Sequence, residues 1–190
     1  MLRKLLLCAL SAFLAYQSVG LVRACARINP GQMDAWWPPL AALAIGLCVT
    51  GAFAFVGFVL PTHKLLPSGY YEVRRPRRLR RVCAQVGVGA FKWLLLWGYW
   101  GRPKHRRRFF DGTRSGLSGL IYMTKQAEFG HLGALIALIA AAAYLIAHHH
   151  AVIAGVVMVV NLVGNGYPIL LQRLHRSRLA RLVVDHRRPR

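Results

Sequence analysis

Acidic residues are scarce in this sequence. Only 5 of its 190 residues are Asp or Glu, against 26 Lys and Arg, so the formal net charge is +21 at pH 7. The sequence also lacks the low hydrophobicity of a disordered basic tail, because 56% of its residues are hydrophobic. A soluble core in so short a chain would not bury that fraction, because small domains have a poor surface-to-volume ratio. The composition therefore excludes a disordered tail and disfavours a soluble nucleic-acid-binding protein.

Motifs for common cofactors are also missing. The four cysteines, at positions 8, 25, 48 and 83, form no Cys-x-x-Cys pair, so the sequence offers neither a zinc spacing nor a disulfide framework. It contains no Gly-rich phosphate loop, no nucleophile elbow and no internal repeat. The run His148-His149-His150 joins two apolar stretches, and a histidine turn at a membrane interface needs no metal. We therefore expect neither a metal nor a bound cofactor.

Long apolar stretches predict an all-α polytopic membrane protein with about four transmembrane helices. Each stretch has 18 to 21 residues, close to the roughly 20 that a helix needs to cross a bilayer core. The four stretches cover residues 5–22, 40–60, 129–147 and 151–171. A fifth stretch, residues 86–100, is shorter, contains Lys92 and is rich in Trp and Tyr, which predicts an interfacial or re-entrant helix.

The basic residues predict the orientation, because none of the 26 lies inside a predicted span. Fifteen lie between Lys64 and Lys125, and seven lie from Arg173 onward. Under the positive-inside rule, the loop 61–128 and the tail 173–190 are cytoplasmic, in a multi-pass protein of the cell (inner) membrane. The basic groups near the spans attract anionic membrane lipid rather than nucleic acid. Residues 1–190 are thus predicted to form a single integral membrane domain.

The first 20 residues allow two interpretations. Arg3-Lys4, an apolar middle and Ser18-Val19-Gly20 also fit a secretory signal peptide with a small-residue cleavage site. An uncleaved anchor and a cleaved peptide predict the same topology for the rest of the chain.

Polar groups in or beside a span are costly, so they mark candidate sites. Glu128 and His131 stand three positions apart at the start of the third span and therefore share one helix face. A carboxylate that orients an imidazole raises its basicity, as a general base requires, so these two are the candidate catalytic residues. The alternative is that Glu128 neutralises nearby arginines, while the side chain of His131 extends to the membrane–water interface without a catalytic role.

The fourth span carries a polar stripe at helical spacing. It consists of Asn161, Asn165, Pro168 and Gln172, and it runs into Arg173, Arg176 and Arg178. Pro168 also frees a backbone carbonyl about one turn earlier. The alternative interpretation is that the amides only join helices by hydrogen bonds, as is common in membranes.

The two clusters are predicted to meet. His131 and Tyr167 each lie 17 residues from the histidine turn, so they should lie at a similar depth in an antiparallel hairpin. Acid, imidazole, amide and guanidinium groups would then share one pocket at the cytoplasmic interface. Substrate contacts are expected from Asn161, Asn165, Gln172, Arg173, Arg176 and Arg178, and from Lys104, His105 and Asp111 in the loop. The segment that ends in Asp111-Gly112 either helps to hold donor phosphates or simply ends in a turn.

Four segments match the motifs of one known family in the family's order. They are Tyr71-Glu72, the stretch from Lys104-His105 to Phe110-Asp111-Gly112, Thr124-Lys125-Gln126-Ala127-Glu128-Phe129-Gly130-His131, and Asn165-Gly166-Tyr167-Pro168-Ile169-Leu170-Leu171-Gln172-Arg173-Leu174-His175-Arg176-Ser177-Arg178. Through these segments the chain resembles the glycosyl-4,4'-diaponeurosporenoate acyltransferase family, whose type member performs the last step of staphyloxanthin carotenoid synthesis. The resemblance covers roughly residues 61–181, and the last two segments are the specific ones.

The resemblance implies transfer of a fatty acyl group to a sugar hydroxyl of a membrane-embedded glycolipid or carotenoid. Acyl-coenzyme A or an acyl carrier protein would be the co-substrate. His131, oriented by Glu128, would deprotonate the acceptor hydroxyl, and Arg173 or Gln172 would stabilise the oxyanion. Two other functions stay open on the sequence alone: a membrane methyltransferase of the isoprenylcysteine type, and a non-enzymatic assembly subunit whose polar stripe only joins helices.

Overall fold

The computed structural model describes residues 1–100 and 114–185. Within these ranges the chain is helical and has no strand, which confirms the all-α prediction. Seven α-helices carry the fold in the described ranges. They are α1 (Leu2–Cys25), α2 (Trp37–Val59), α3 (Pro76–Gln85), α4 (Val88–Leu95), α5 (Arg114–Ala147), α6 (Ala151–Asn161) and α7 (Tyr167–Asp185).

Four helical stretches are long and apolar enough to cross a membrane, as predicted. They are Leu2–Cys25, Trp37–Val59, Gly116–Ala147 and Ala151–Ala180. Their outward faces carry large exposed apolar side chains, among them Phe13, Leu47 and Ile136. Such faces are unfavourable in water and favourable in lipid, because apolar area is costly only where it contacts water.

The structure differs from the sequence-based outline between residues 61 and 128, which the outline treated as a loop. The region contains α3, α4 and the first part of α5, which begins at Arg114 rather than near Phe129. The apolar stretch 129–147 predicted only the second part of α5. The helix also includes the residues before it, because polar residues such as Lys125 and Glu128 are good helix formers. Two short 3₁₀ turns, Thr62–Leu65 and Ser68–Tyr71, connect α2 with this region.

The predicted aromatic segment 86–100 forms α4 and then a wider π-type turn, Leu96–Trp100. Its apolar helical stretch, Val88–Gly98, is too short to span a bilayer core of about 30 Å at 1.5 Å per residue. Trp93 and Trp97 are exposed and stack, with ring centroids 6.4 Å apart.

A π-type turn, Leu162–Gly166, separates α6 from α7. Pro168 lies two residues beyond it, and its ring cannot fit against the carbonyl of Gly164 in a regular helix. The turn relieves this clash by widening, and the backbone N–H of Tyr167 donates to the carbonyl of Leu162, five residues back. Asn165 therefore lies on a locally widened turn.

The described residues form two compact units. Unit 1 contains Met1–Thr62 and Phe129–Pro168, and unit 2 contains the described residues of His63–Glu128 and Ile169–Arg190. Unit 1 is a helical bundle with a core of small and branched apolar residues, among them Ala42, Ile45, Leu138 and Val157. Gly133 is required there for space, because a Cβ atom would lie 2.4 Å from the Phe53 ring.

Candidate active site

A chain of amide hydrogen bonds crosses the core of unit 1. Nδ2 of Asn161 donates to the backbone carbonyl of Leu135 at 3.0 Å. Nδ2 of Asn165 in turn donates to Oδ1 of Asn161 at 3.1 Å. Both asparagines are at least 99% buried, so their amides obtain their hydrogen bonds from protein groups rather than water.

This chain ends at the imidazole of His131. Nδ1 of the ring lies 3.0 Å from Oδ1 of Asn165. The Leu135 carbonyl only accepts, which orients the Asn161 amide, and Asn161 then orients the Asn165 amide. Because Asn165 presents its oxygen, Nδ1 of His131 is the protonated nitrogen, and in the neutral ring Nε2 keeps the free lone pair.

The hydroxyl of Thr50 also belongs to this network, although no sequence motif pointed to Thr50. Its Oγ1 lies 3.3 Å from Oδ1 and 3.2 Å from Nδ2 of Asn165. A hydroxyl both donates and accepts, so it completes the bonds of Asn165 whichever way its proton points. Thr50 lies on α2, 115 positions before Asn165, and only the fold brings the two together.

A second polar cluster occupies unit 2 and centres on Glu128, whose side chain is fully buried. Nε of Arg173 donates to Oε1 of Glu128 at 2.8 Å. Nη2 of Arg176 donates to Oε2. Both carboxylate oxygens therefore bind arginines from α7, a charge-assisted arrangement that is stronger than a neutral pair.

The same two arginines hold the turn before α3. Nη2 of Arg173 donates to the carbonyl of Tyr70 at 3.5 Å, and Nε of Arg176 donates to the carbonyl of Tyr71 at 3.3 Å. Their guanidinium carbons lie 4.8 Å and 5.5 Å from the ring centroids of Tyr70 and Tyr71. The cluster thus fixes the backbone of this turn as well as the charge of Glu128.

Tyr71 connects this turn to His63 in the preceding 3₁₀ turn. Its hydroxyl donates to the carbonyl of His63 at 3.0 Å, and Nδ1 of His63 lies 2.8 Å from Oε1 of Gln126. Burial raises the pKa of Tyr71 to about 12, and the negative charge of Glu128 acts in the same direction. The phenol is therefore neutral at physiological pH and remains a hydrogen-bond donor.

The sequence paired Glu128 with His131, and the structure gives each another described partner. Glu128 binds Arg173 and Arg176, whereas His131 binds Asn165. A spacing of three on a helix places two side chains on one face, but it does not choose between them and partners from other helices. The interpretation in which Glu128 neutralises arginines matches this geometry.

The remaining predicted residues are placed as follows. Gln172 is half-buried on α7, and Arg178 is exposed. Lys104, His105 and Asp111 lie outside the described residues. Across residues 1–100 and 114–185, no group of three or more His, Cys, Asp or Glu residues has an arrangement that would hold a metal ion.

These features define a class of protein: a small helical protein with four apolar, membrane-length helices and two buried polar clusters. The family model described as glycosyl-4,4'-diaponeurosporenoate acyltransferase matches residues 67–185. This is more than half of the chain, so the protein belongs to that family and is an acyltransferase. Comparison with curated proteins and with solved structures finds no match.

The family match contains both polar clusters apart from Thr50 and His63. Family membership assigns the protein to acyl transfer in carotenoid biosynthesis and disfavours the methyltransferase and assembly-subunit alternatives.

Proposed function

We propose that the protein transfers a fatty acyl group from an acyl thioester to a hydroxyl of a glycosylated carotenoid or related glycolipid. The coarse reaction follows from the family. The hydroxyl acceptor fits a site whose base is a neutral imidazole, because an alcohol is a poor nucleophile until a base removes its proton.

His131 is the proposed general base. Its Nε2 takes the proton of the sugar hydroxyl while that oxygen attacks the thioester carbonyl carbon. A C–O bond forms, and the carbonyl π electrons move to oxygen in the tetrahedral intermediate. The intermediate then reforms the carbonyl, the C–S bond breaks, and the thiolate takes the proton from Nε2, so ester and thiol leave with His131 regenerated.

The observation that carries this proposal is the hydrogen bond from Nδ1 of His131 to Oδ1 of Asn165. It holds the ring in the tautomer that leaves Nε2 unprotonated. It also supports the imidazolium that forms after proton transfer, because the amide oxygen accepts from a cationic ring more strongly than from a neutral one. Asn165 is therefore proposed to perform, without a charge, the orienting role that the motif spacing predicted for Glu128.

The donor side of the reaction is proposed to face the cytoplasm. Acyl-coenzyme A and acyl carrier proteins are cytosolic, and the sugar of a glycosylated terpenoid lies at the headgroup level. The positive-inside rule supports this orientation, because 22 of the 26 basic residues lie at or after Lys64, in the loop and tail that it assigns to the cytoplasm. The proposed roles of Lys104, His105 and Arg178 are contacts to the phosphates of the donor, and Asp111 is proposed to contact another part of the substrate.

Replacement of the base tests the proposal. His131→Ala is expected to lower acyl transfer by about 100-fold or more, the usual contribution of a general base. His148→Ala is the matched control, since His148 is an exposed histidine in the α5–α6 turn. Transfer of radiolabelled acyl groups from acyl-coenzyme A to a glycosylated carotenoid is measured in detergent, with protein amounts equalised by immunoblot. Equal activity of the two variants would disprove the assignment.

A further inference from the structure

The arginine cluster of unit 2 has one unsatisfied donor. Nη1 of Arg176 is buried and has no hydrogen-bond acceptor among the described residues. The other nitrogens of this guanidinium bind Glu128 and the carbonyl of Tyr71. An unsatisfied N–H on a buried cation is costly, so a position beside it favours an oxygen-rich ligand.

The charges of the cluster point to the same kind of ligand. Lys125 and Arg176 both lie near the Tyr71 ring, at 5.6 Å and 5.5 Å from its centroid. With Arg173 they make three cations against the single carboxylate of Glu128, a net charge of +2. A partly buried cluster with a net charge of +2 attracts a dianion.

The cluster also has a side that faces solvent in the described residues. The side chain of Arg173 is 31% exposed, whereas that of Arg176 is only 6% exposed. Arg173 thus forms the solvent-facing side of the cluster and Arg176 its inner side. Glu128 holds both guanidinium groups in place, which lowers the ordering cost of ligand binding.

We infer that Lys125, Arg173 and Arg176 form a phosphate subsite in which Nη1 of Arg176 donates to a phosphate oxygen. Phosphate esters occur in coenzyme A, in the pantetheine arm of carrier proteins and in anionic membrane lipids. As a donor subsite the cluster rests on the proposed function, but it binds phosphate without any chemical step. Guanidinium groups bind phosphate oxygens through directional N–H donors, a geometry that lysine does not reproduce.

The test uses the purified full-length protein in detergent and measures binding by calorimetry and by the thermal unfolding midpoint. The probes are free coenzyme A, inorganic pyrophosphate and bicelles that contain phosphatidylglycerol. Ligands that bind the folded state raise the midpoint with concentration. A response to coenzyme A identifies the donor as the source of the phosphate, and a response to phosphatidylglycerol alone identifies the lipid. If no probe binds, the subsite is disproved.

Arg176→Lys is the decisive variant, because it keeps a positive charge for Glu128 and removes Nη1. Its affinity for the active probe is expected to fall by about ten-fold, the effect of one charge-assisted hydrogen bond. Arg77→Lys, at an exposed position on α3 outside the cluster, is the matched control and is expected to bind like the wild type. An unchanged affinity in Arg176→Lys overturns the inference.

Lys125→Gln gives an independent reading that leaves both partners of Glu128 in place. We expect several-fold weaker binding and a weaker dependence of affinity on salt, because one cation is lost. Unchanged binding would exclude Lys125 from the subsite and would contradict the argument from the net charge of the cluster. His131→Ala is expected to bind coenzyme A normally while acyl transfer is lost, so failure of the catalytic proposal and failure of the subsite give different results.

Discussion

The two polar clusters solve the problem of buried polar groups in opposite ways. In unit 1 the groups are neutral: His131 donates to Asn165, Asn165 donates to Asn161, and Asn161 donates to the Leu135 carbonyl. In unit 2, Glu128 binds two guanidinium groups, and the cluster carries excess positive charge. A neutral network determines which nitrogen of the imidazole carries the proton and leaves the ring free to gain a second proton, which suits a base. An ionic cluster fixes backbone and charge, which suits structure and anion binding.

The comparison predicts that the ionic cluster matters most for stability. Glu128→Gln leaves two buried or half-buried arginines without their carboxylate and is expected to cost about 3–5 kcal/mol of unfolding free energy. Thermal unfolding in detergent measures the loss, and Glu72→Gln is the control because Glu72 is an exposed acid close to the same turn. If Glu128→Gln unfolds at the wild-type temperature, the structural role of the ion pairs is wrong.

The neutral network is expected to matter most for rate. Asn165→Leu removes the acceptor of His131 and should lower kcat by about 10- to 100-fold, the range found when a partner that orients a reactive imidazole is lost. KM should change little, because the amide is proposed to act through the ring. Steady-state kinetics with acyl-coenzyme A measure both constants.

Asn165→Asp is the matched control for that variant. It keeps an oxygen that accepts from Nδ1 and should retain more of the rate than the leucine variant. If Asn165→Leu instead raises KM and leaves kcat unchanged, Asn165 is a substrate contact, as the sequence analysis predicted.

Thr50 should give a smaller effect of the same kind. Thr50→Val keeps the shape of the side chain and removes the hydroxyl, which should loosen Asn165 and lower kcat several-fold, as expected for a neutral hydrogen bond of about 1 kcal/mol. Thr50→Ser keeps the hydroxyl and should restore the rate. Equal rates in the valine and serine variants would show that Thr50 only packs.

The smallest effect is expected at Tyr71. Tyr71→Phe removes the hydrogen bond to the His63 carbonyl and should cost about 1 kcal/mol of stability, with Tyr70→Phe as the neighbouring control. The pKa of Tyr71, about 12, lies above its ordinary value of 10.0, so its stabilising contribution is full below pH 10 and is lost as the pH rises toward 12. Ultraviolet titration should show no phenolate at Tyr71 below pH 10, and early ionisation there would contradict its burial.

Much of the fold could be read from the sequence. The lengths of the four apolar stretches predicted four membrane-length helices, and the described residues contain them. The outline predicted a helix at 86–100 but missed α3 and the first part of α5, because a charged helix such as α3 has no apolar run to reveal it. The polar stripe on α6 and α7 was visible from helical spacing alone, since Asn161 and Asn165 share one face.

The partners of the candidate residues were harder to predict. The motif spacing singled out Glu128 and His131, which are buried and half-buried in the structure, but it paired them with each other. Side chains three positions apart on a helix share a face with many other groups. Which of these groups becomes the hydrogen-bond partner depends on how the neighbouring helices are rotated about their axes. Residue spacing within one helix does not specify that rotation.

The sequence by itself determined the number of apolar helices, the placement of basic residues outside the apolar stretches and the family. These are sums over local residues, and hydrophobic length and charge add along the chain without reference to packing. The tertiary structure alone decided that Thr50 completes the bonds of Asn165 from 115 positions away and that Arg176 keeps one buried N–H free of a described acceptor. Hydrogen bonds require alignment within a few tenths of an ångström, and only the packed helices set positions that finely.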